Sequence, residues 1–305
     1  MKHLLSINDL SVADISKILD RANEHAKVNR SLNKKQAILT GRTAINLFVE
    51  TSTRTLTSFE LAAKRLDCDV ITMNVEKSSI TVKGESLADT AMTLNAMHPD
   101  FIVIRHNVSG QVQELAGYMD CSVINAGDGT NEHPSQALVD AAAIKNSFGR
   151  IAGLNIAICG DILHSRVAHS NLLMMGKLGA NLRVIAPKSF LPNDDSLAKS
   201  GVEVFTDMNK GLKDVDVVMM LRVQKERMQA SEVPSERQFH ADYGLTRERL
   251  KIAKPTAKVM APGPINRGVE IDSDVADDRS RSLILEQVEI GVSIRQAILE
   301  HLIDG

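Results

Sequence analysis

The sequence predicts an α/β protein with two parallel-sheet domains. The chain has 305 residues, which exceeds one average domain. Short apolar runs typical of buried strands alternate with longer stretches of helical spacing, as in βαβ units. The same alternation begins again near residue 155. Length, alternation and restart together favour two domains of similar construction.

The composition excludes several classes of protein. Hydrophobic residues make up 43% and charged residues 24%, as is usual for soluble globular proteins. A net charge of -2 and the absence of Trp leave neither the basic surface nor the stacking aromatics of nucleic-acid-binding proteins. No apolar run approaches the ~20 residues of a membrane span. Polar residues follow Leu5 directly, so there is no signal-peptide core, and we expect a cytoplasmic protein.

The three cysteines, Cys68, Cys121 and Cys159, lie far apart, each in or beside an apolar run. Their spacing matches neither a zinc site nor a disulfide framework. The sequence therefore predicts small buried thiols and no metal site.

The first half of the chain predicts five helices and four strands. Ser11 can cap a first helix that carries apolar residues from Ile15 to Ala26. Strands are predicted at residues 43–49, 69–73, 101–105 and 122–125. Further helices are predicted at residues 59–66, 87–94, 111–118 and 135–144.

The second half repeats this pattern and ends in a long helix. Strands are predicted at residues 156–159, 182–185, 202–205, 215–220 and 258–260. Helices are predicted at residues 167–178 and 283–302, and the last of these is expected to return to the first half.

Polar clusters follow the carboxyl ends of the predicted strands. They lie at residues 50–55, 105–106, 126–136, 160–166, 221–227 and 261–264. Ligands of open α/β sheets bind at this edge. One cleft between the two domains would therefore gather all six clusters.

The most informative cluster is Ser52-Thr53-Arg54-Thr55, which lies between a buried strand and a helix. Unbonded N–H groups and the helix dipole make such a helix start a site for an anion, and the hydroxyls and the guanidinium add donors. The alternative is an ordinary capped helix in which Thr57 and Glu60 form a capping box. The turn alone does not decide between them.

Other candidate residues also have ordinary structural explanations when taken singly. Arg105 ends a buried strand, His133 precedes a helix that Pro134 begins, Lys83 lies in a Gly-containing loop, and Arg166 lies in a first helical turn. The Gly-x-Gly-x-x-Gly pattern and the Gly-Lys-Ser/Thr phosphate loop are missing, which argues against nicotinamide binding and against a nucleotide triphosphatase.

Five motifs occur together and in order. They are Ser52-Thr53-Arg54-Thr55, Arg105-His106, His133-Pro134-Ser135-Gln136, 221–227 and Pro262-Gly263-Pro264. On these motifs the chain closely resembles the aspartate/ornithine carbamoyltransferase family, and within it the aspartate branch, over nearly the whole length.

The resemblance implies two Rossmann-like domains with the active site in the cleft between them. Residues 1–134, completed by 283–305, would bind carbamoyl phosphate, and residues 135–282 would bind L-aspartate. The implied reaction is carbamoyl transfer from carbamoyl phosphate to the aspartate amine, early in pyrimidine biosynthesis. It needs no metal or organic cofactor.

The resemblance also implies roles for residues. Ser52 to Thr55 would bind the phosphate, and Gln136 and the backbone at Gly263 and Pro264 the carbamoyl end, with a cis peptide before Pro264. The carbonyl oxygen would be held by Thr55, Arg105 and His133. Arg166, Arg222 and Gln224 would hold aspartate. Ser79 and Lys83 would reach the neighbouring subunit's site, Ser79 on carbamoyl phosphate and Lys83 on aspartate, which implies a homotrimer with shared sites. Arg54 and Lys83 would offset charge on the departing phosphate.

Two alternatives predict different residues at these positions. An ornithine carbamoyltransferase is expected to have His-Cys-Leu-Pro where this chain has Ala261-Pro262-Gly263-Pro264, and an Asp with Ser-Met-Gly near the position of Arg222. A pair of arginines selects a dicarboxylate instead. A non-catalytic scaffold should have a damaged site, whereas the matched positions are present. One departure is Leu56, where the family usually has a second Arg or another polar residue. The resemblance leaves open whether a regulatory chain or a dihydroorotase partner binds.

Overall fold

The computed structural model describes residues 1–74, 84–228 and 235–303, and the chain divides into two compact units. Unit 1 comprises Met1–Ala142 and Val288–Gly305, and unit 2 comprises Ala143–Gln287. Each unit contains one parallel sheet, which confirms the predicted fold class. The divisions fall inside two helices, whereas the sequence analysis placed them at 134/135 and 282/283, where those helices begin.

Unit 1 contains a four-stranded sheet in the order β2-β1-β3-β4, all parallel. Its strands are β1 (Thr43–Phe48), β2 (Asp69–Asn74), β3 (Phe101–His106) and β4 (Ser122–Asp128). Its helices are α1 (Val12–Asn29), α2 (Thr53–Arg65), α3 (Leu87–Asn95), α4 (Gln111–Ala116) and the first part of α5 (Pro134–Phe148). Apolar side chains of β1 and β3, such as Leu47 and Ile104, pack with Leu94 of α3 and Leu115 of α4.

The last helix, α12 (Ile284–Ile303), starts in unit 2 and completes unit 1. Its Glu300 contacts His25 of α1, which is fully buried, with 2.9 Å between Oε2 and Nε2. Gln36 Nε2 lies 3.0 Å from the other ring nitrogen. Burial lowers the pKa of His25. The first and last helices of the chain are therefore joined through a buried polar contact.

Unit 2 contains a five-stranded parallel sheet in the order β7-β6-β5-β8-β9. Its strands are β5 (Asn155–Cys159), β6 (Asn181–Ile185), β7 (Glu203–Phe205), β8 (Val217–Met220) and β9 (Lys258–Met260). Its helices are α6 (Arg166–Lys177), α7 (Ser196–Lys199), α8 (Met208–Gly211), α9 (Glu236–Tyr243), α10 (Arg247–Leu250) and α11 (Ser273–Ala276). All five strands and α6 were predicted from the sequence. The five shorter helices were not, because they are too short to show a helical period.

Two of the three cysteines are buried as predicted, and the third is only partly buried. All three are free, with Cys68 and Cys159 buried and Cys121 partly buried. Burial raises the pKa of Cys68 to about 12 and that of Cys121 to about 11. Among the residues that the structure describes, no cluster of three or more His, Cys, Asp or Glu is placed to hold a metal ion, and no helix could cross a bilayer.

Candidate active site

The anion-binding turn of unit 1 is the start of α2. Ser52 is its N-cap residue, but the Ser52 side chain makes no capping hydrogen bond. The first intrahelical bond runs from Leu56 N–H to the Ser52 carbonyl oxygen, at 3.1 Å. The first turn carries no acidic residue, so the positive end of the helix dipole is not offset within the turn. This end of α2 suits a bound phosphate.

The alternative capping box at Thr57 and Glu60 is wrong. Thr57 lies in the second turn of α2, because the helix already begins at Thr53. Glu60 instead accepts hydrogen bonds from Lys64, at 2.7 Å, and from Thr72, at 3.3 Å. The pattern of a Ser or Thr three residues before Glu was present, but the helix starts one turn earlier.

Arg105 lies at the carboxyl edge of the same sheet, where its β3 backbone pairs with the end of β1. Its guanidinium donates to Glu50 Oε1 at 3.2 Å and to the Ala126 carbonyl oxygen at 3.3 Å. The side chain is 12% exposed. Neighbouring His106 accepts the Val108 N–H through Nδ1, and burial lowers its pKa. Arg105 is therefore the charged member of this pair.

His133 lies immediately before α5 and is 4% exposed. Its carbonyl oxygen accepts the Gln136 N–H at 2.9 Å, which begins the helix. The Ser135 hydroxyl lies 3.5 Å from Nδ1 of the ring. A hydroxyl that donates to Nδ1 leaves the proton of a neutral imidazole on Nε2, where it can be donated to a carbonyl oxygen.

Gln136 lies in the first turn of α5, and its amide has a fixed orientation. Its Nε2 donates to Oδ1 of the fully buried Asp140 at 2.9 Å. Because a carboxylate accepts only from the NH₂ group, the Gln136 oxygen is turned away from Asp140. The side chain thus presents an acceptor, the group that an N–H of a ligand requires.

In unit 2, Asp161 joins the two loops that carry the candidate acceptor residues. It is fully buried, and its Oδ2 accepts the Gln224 N–H at 3.1 Å. Its other oxygen accepts from the backbone N–H and Nδ1 of His164, at 3.1 and 3.0 Å. Arg227 donates back to the His164 carbonyl oxygen at 2.9 Å. The loop after β5 and the loop after β8 therefore form one rigid platform within unit 2.

Arg222 lies on this platform. Its guanidinium donates to Gln224 Oε1 at 3.1 Å and to both oxygens of Glu226. The hydrogen bond to Glu226 raises the pKa of Arg222 above its ordinary value. Arg166 is the first residue of α6 and is 3% exposed. Ser165 caps this helix, because its side chain accepts a hydrogen bond from the Ala168 N–H. Both arginines thus follow strands of one sheet.

The loop after β9 joins the same platform. The peptide between Gly263 and Pro264 is cis, as predicted. Glu270, 2% exposed, accepts the Val223 N–H at 3.0 Å and two bonds from Asn266, at 3.0 and 3.1 Å. Burial raises the pKa of Glu270. Glu270 therefore holds the loop that carries Arg222 beside the loop that follows Pro264.

The structure brings the described candidates together in two groups. Unit 1 gathers Ser52, Thr53, Arg54, Thr55, Arg105, His133 and Gln136 at the carboxyl edge of β1, β3 and β4. Unit 2 gathers Arg166, Arg222, Gln224, Gly263 and Pro264 at the carboxyl edge of β5, β8 and β9. Ser79 and Lys83 lie outside the described residues. Leu56 is half-buried in the first turn of α2.

The acids that hold these groups in place were not predicted from the sequence. They are Glu50, Asp140, Asp161, Glu226 and Glu270. Two of them had a signal, because Asp140 follows Gln136, and Glu226 follows Arg222, by four residues. Glu50, Asp161 and Glu270 reach Arg105, Gln224 and Val223 from positions that are distant in sequence, so no local spacing indicates these contacts.

Comparison with known proteins gives a consistent assignment. The family model for the carbamoyl-P binding domain of aspartate/ornithine carbamoyltransferase matches residues 2–146, and the model for its Asp/Orn binding domain matches residues 152–302. The aspartate carbamoyltransferase catalytic subunit of Parvibaculum lavamentivorans is 58% identical over 301 residues, covering 99% of this chain and 91% of that protein.

Solved structures agree. Aspartate transcarbamoylase from Trypanosoma cruzi, in complex with carbamoyl phosphate and aspartate, superposes with a TM-score of 0.88 at 31% identity, covering 99% of this chain and 96% of that one. The catalytic subunit of M. jannaschii aspartate transcarbamoylase gives 0.86 at 34% identity, covering 100% and 98%. The chain belongs to the aspartate/ornithine carbamoyltransferase family. Within it, the chain falls among the catalytic subunits of aspartate carbamoyltransferase.

Proposed function

We propose that this protein transfers the carbamoyl group of carbamoyl phosphate to the amine of L-aspartate, giving N-carbamoyl-L-aspartate and phosphate, early in pyrimidine synthesis. The observation that carries the proposal is Arg222, a fixed cation held by Gln224 and Glu226 on the platform that also bears Arg166. Two arginines at one sheet edge favour a substrate with two carboxylates over one with an ammonium side chain.

Unit 1 provides the donor site in this proposal. The start of α2, with Ser52, Thr53, Arg54 and Thr55, takes the phosphate. Arg105, His133 and Thr55 hold the carbonyl oxygen. Gln136, whose amide oxygen faces away from Asp140, accepts from the amino group, and the backbone at Gly263 and Pro264 in unit 2 contacts the same end of the substrate. The orientation of the Gln136 amide supports this assignment directly.

Unit 2 provides the acceptor site. Arg166 and Arg222 take the two carboxylates of aspartate, and Gln224 lies beside Arg222. Because the aspartate amine attacks carbamoyl phosphate directly, both sets of residues act on one pair of substrates. Asp161 and Glu270, which fix the loops of the acceptor site, hold it in shape before the substrate arrives.

The chemistry follows from where charge develops. The neutral amine forms a bond to the carbonyl carbon, and negative charge builds on the carbonyl oxygen. Arg105, His133 and Thr55 stabilise that oxygen, and one such donor is typically worth about 3–4 kcal/mol. The bond from carbon to the bridging oxygen then breaks. Arg54 offsets the charge of the departing phosphate, which also takes the amine proton.

The test is an assay of phosphate release from carbamoyl phosphate by the purified protein. We expect release with L-aspartate and none with L-ornithine. An Arg222→Leu variant should need far more aspartate for the same rate, while its KM for carbamoyl phosphate stays close to that of the wild type. Release with ornithine alone, or equal release without any acceptor, would refute the proposal.

The assembly is proposed to be a homotrimer with shared sites. Ser79 on carbamoyl phosphate and Lys83 on aspartate are assigned to the neighbouring subunit's site by family pattern. Lys83→Ala and His133→Ala variants, each inactive alone, should recover partial activity after mixing and reassembly, because one mixed site retains both residues. Demonstrated subunit exchange without recovery would contradict the shared site.

A further inference from the structure

The N-terminal segment of unit 1 reaches the turn before His133. Leu4 extends the sheet beside β4, with its N–H donating to the Val123 carbonyl oxygen and its carbonyl accepting from Asn125 N–H, both at 2.9 Å. Asn125 Nδ2 also donates to the Leu5 carbonyl oxygen at 2.8 Å. Four residues of two distant segments are thus held in fixed register at this edge of the sheet.

After Leu5 the chain makes a single 3-10 turn, Ile7–Asp9, and this turn is held by a capping box. Ser6 Oγ accepts the Asn8 N–H at 3.0 Å. Asp9 Oδ2 accepts the N–H groups of Leu5 and Ser6, at 2.8 and 2.9 Å. Because Ser6 Oγ serves the box as an acceptor, its own hydrogen remains to be donated elsewhere.

That hydrogen is donated to Glu132, the residue before His133. Ser6 Oγ donates to Glu132 Oε1, and the N–H of the fully buried Ile7 donates to Glu132 Oε2 at 3.0 Å. Each carboxylate oxygen therefore has its own donor. Hydrogen bonds to a charged acceptor are about twice as strong as neutral ones. Without Glu132, the Ile7 N–H would lose this charged acceptor.

The backbone on both sides of Glu132 is also fixed. Its carbonyl oxygen accepts the Asp128 N–H at 3.0 Å. The Asp128 carboxylate accepts from Gly110 N–H and from Asn131 Nδ2, each at 3.0 Å. His133 then begins α5 through its own carbonyl oxygen. The side chain of Glu132 is the point at which the N-terminal segment joins this turn.

We propose that Glu132 is a positioning residue for His133, held in place by Ser6 and Ile7 of the N-terminal segment. The proposal rests on the proposed function, in which His133 holds the carbonyl oxygen of carbamoyl phosphate. Glu132 does not touch substrate; it determines where the ring of His133 stands. A loss of this contact therefore lowers kcat through His133 and leaves the aspartate site in unit 2 unchanged.

The test compares variants that break or keep the hydrogen bonds of Glu132 with a control variant at a helix cap that does not contact Glu132. Glu132→Gln replaces one accepting oxygen with an NH₂ group, so we expect kcat to fall about tenfold, as a misplacement below 1 Å can cause, with KM for aspartate unchanged. Ser6→Ala should show a smaller fall in kcat, and Ser6→Thr, which keeps the hydroxyl, should restore it. Ser11→Ala is the matched control, because Ser11 caps α1 through Asp14 N–H and makes no contact with Glu132 in the described structure.

The Ser11→Ala control distinguishes an effect on the position of His133 from a general loss of stability. Ser6→Ala and Ser11→Ala should lower Tm similarly, but Ser11→Ala should keep the wild-type kcat. Equal losses of kcat in the two variants, or an unchanged kcat in Glu132→Gln, would overturn the proposal.

A crystal structure of Glu132→Gln makes the test independent of activity. The ring of His133 should be displaced or disordered relative to the wild type. An unmoved ring refutes the positioning role. Failure of the wild type to release phosphate with aspartate would refute the proposed function, and the displacement of the ring would still decide the role of Glu132.

Discussion

Replacement of Gly160 by Ala tests the platform that carries Arg222. Gly160 follows β5 and has φ +120°, a conformation that residues with a side chain rarely adopt. An added Cβ would lie 2.5 Å from the carbonyl oxygen of Leu221, the residue before Arg222. The substitution therefore strains the loop after β5 and pushes the loop after β8.

The two effects can be estimated separately. The backbone conformation alone costs about 1–3 kcal/mol. An ordinary contact needs about 3.5 Å, so the Leu221 carbonyl must retreat by about 1 Å. A shift of that size at a substrate-binding group can cost on the order of 100-fold in rate. We expect Gly160→Ala to lose about 2–4 kcal/mol of unfolding free energy and to raise KM for aspartate at least about tenfold.

Gly201→Ala is the control. Gly201 also has a positive φ, +75°, but a Cβ there would meet nothing within 4 Å. Gly201→Ala should therefore lose only the backbone cost, about 1–2 kcal/mol of unfolding free energy. Urea unfolding measures the free energies, and phosphate release at saturating carbamoyl phosphate measures KM for aspartate. Equal losses of stability in the two variants, with KM for aspartate unchanged in both, would refute this account of the platform.

Two further predictions concern the buried acids. Asp140→Ala should free the Gln136 amide and lower kcat/KM for carbamoyl phosphate about tenfold, because a hydrogen bond to a charged group is worth about 1.5–3 kcal/mol. A rise in KM for aspartate alone would contradict the assigned orientation of the amide. Burial raises the pKa of Glu270, so between its unfolded and folded pKa values the native state binds more protons, and the free energy of unfolding falls as pH rises through that window. In urea unfolding across acidic and neutral pH, the unfolding free energy of the wild type minus that of Glu270→Gln should fall as pH rises through this window.

The sequence predicted most of the framework because buried parallel strands carry a strong local signal. β1 was expected at 43–49 and is Thr43–Phe48, and the last helix was expected at 283–302 and is Ile284–Ile303. The starts of two strands in unit 2 were predicted too early. The strand expected from residue 202 begins at Glu203, and the one expected from 215 begins at Val217. There apolar residues, Val202 and Val215, precede the first pair of the ladder, so hydropathy starts the strand too early.

The types of residue that face the substrate could be predicted from the sequence. The contacts that hold those residues in place could not. Arg105 lies near the end of β3, and Arg166 and Arg222 come after strands, so their places at the sheet edge could be expected. Nothing local indicates that Asp161 reaches Gln224 or that Glu132 reaches Ser6, because those contacts depend on how distant loops fold back. Gln136 shows the limit well: its position was predicted, but its orientation needed Asp140.

The union of α1 with α12 has a consequence for synthesis of the chain. His25 and its partner Glu300 lie 275 residues apart in the sequence, so this contact can form only after α12 has been translated. The hydrogen bond from Asn29 Nδ2 to Gln296 Oε1, at 2.7 Å, likewise requires α12. A chain that terminates before α12 leaves this face of unit 1 exposed, with a buried imidazole opened to water.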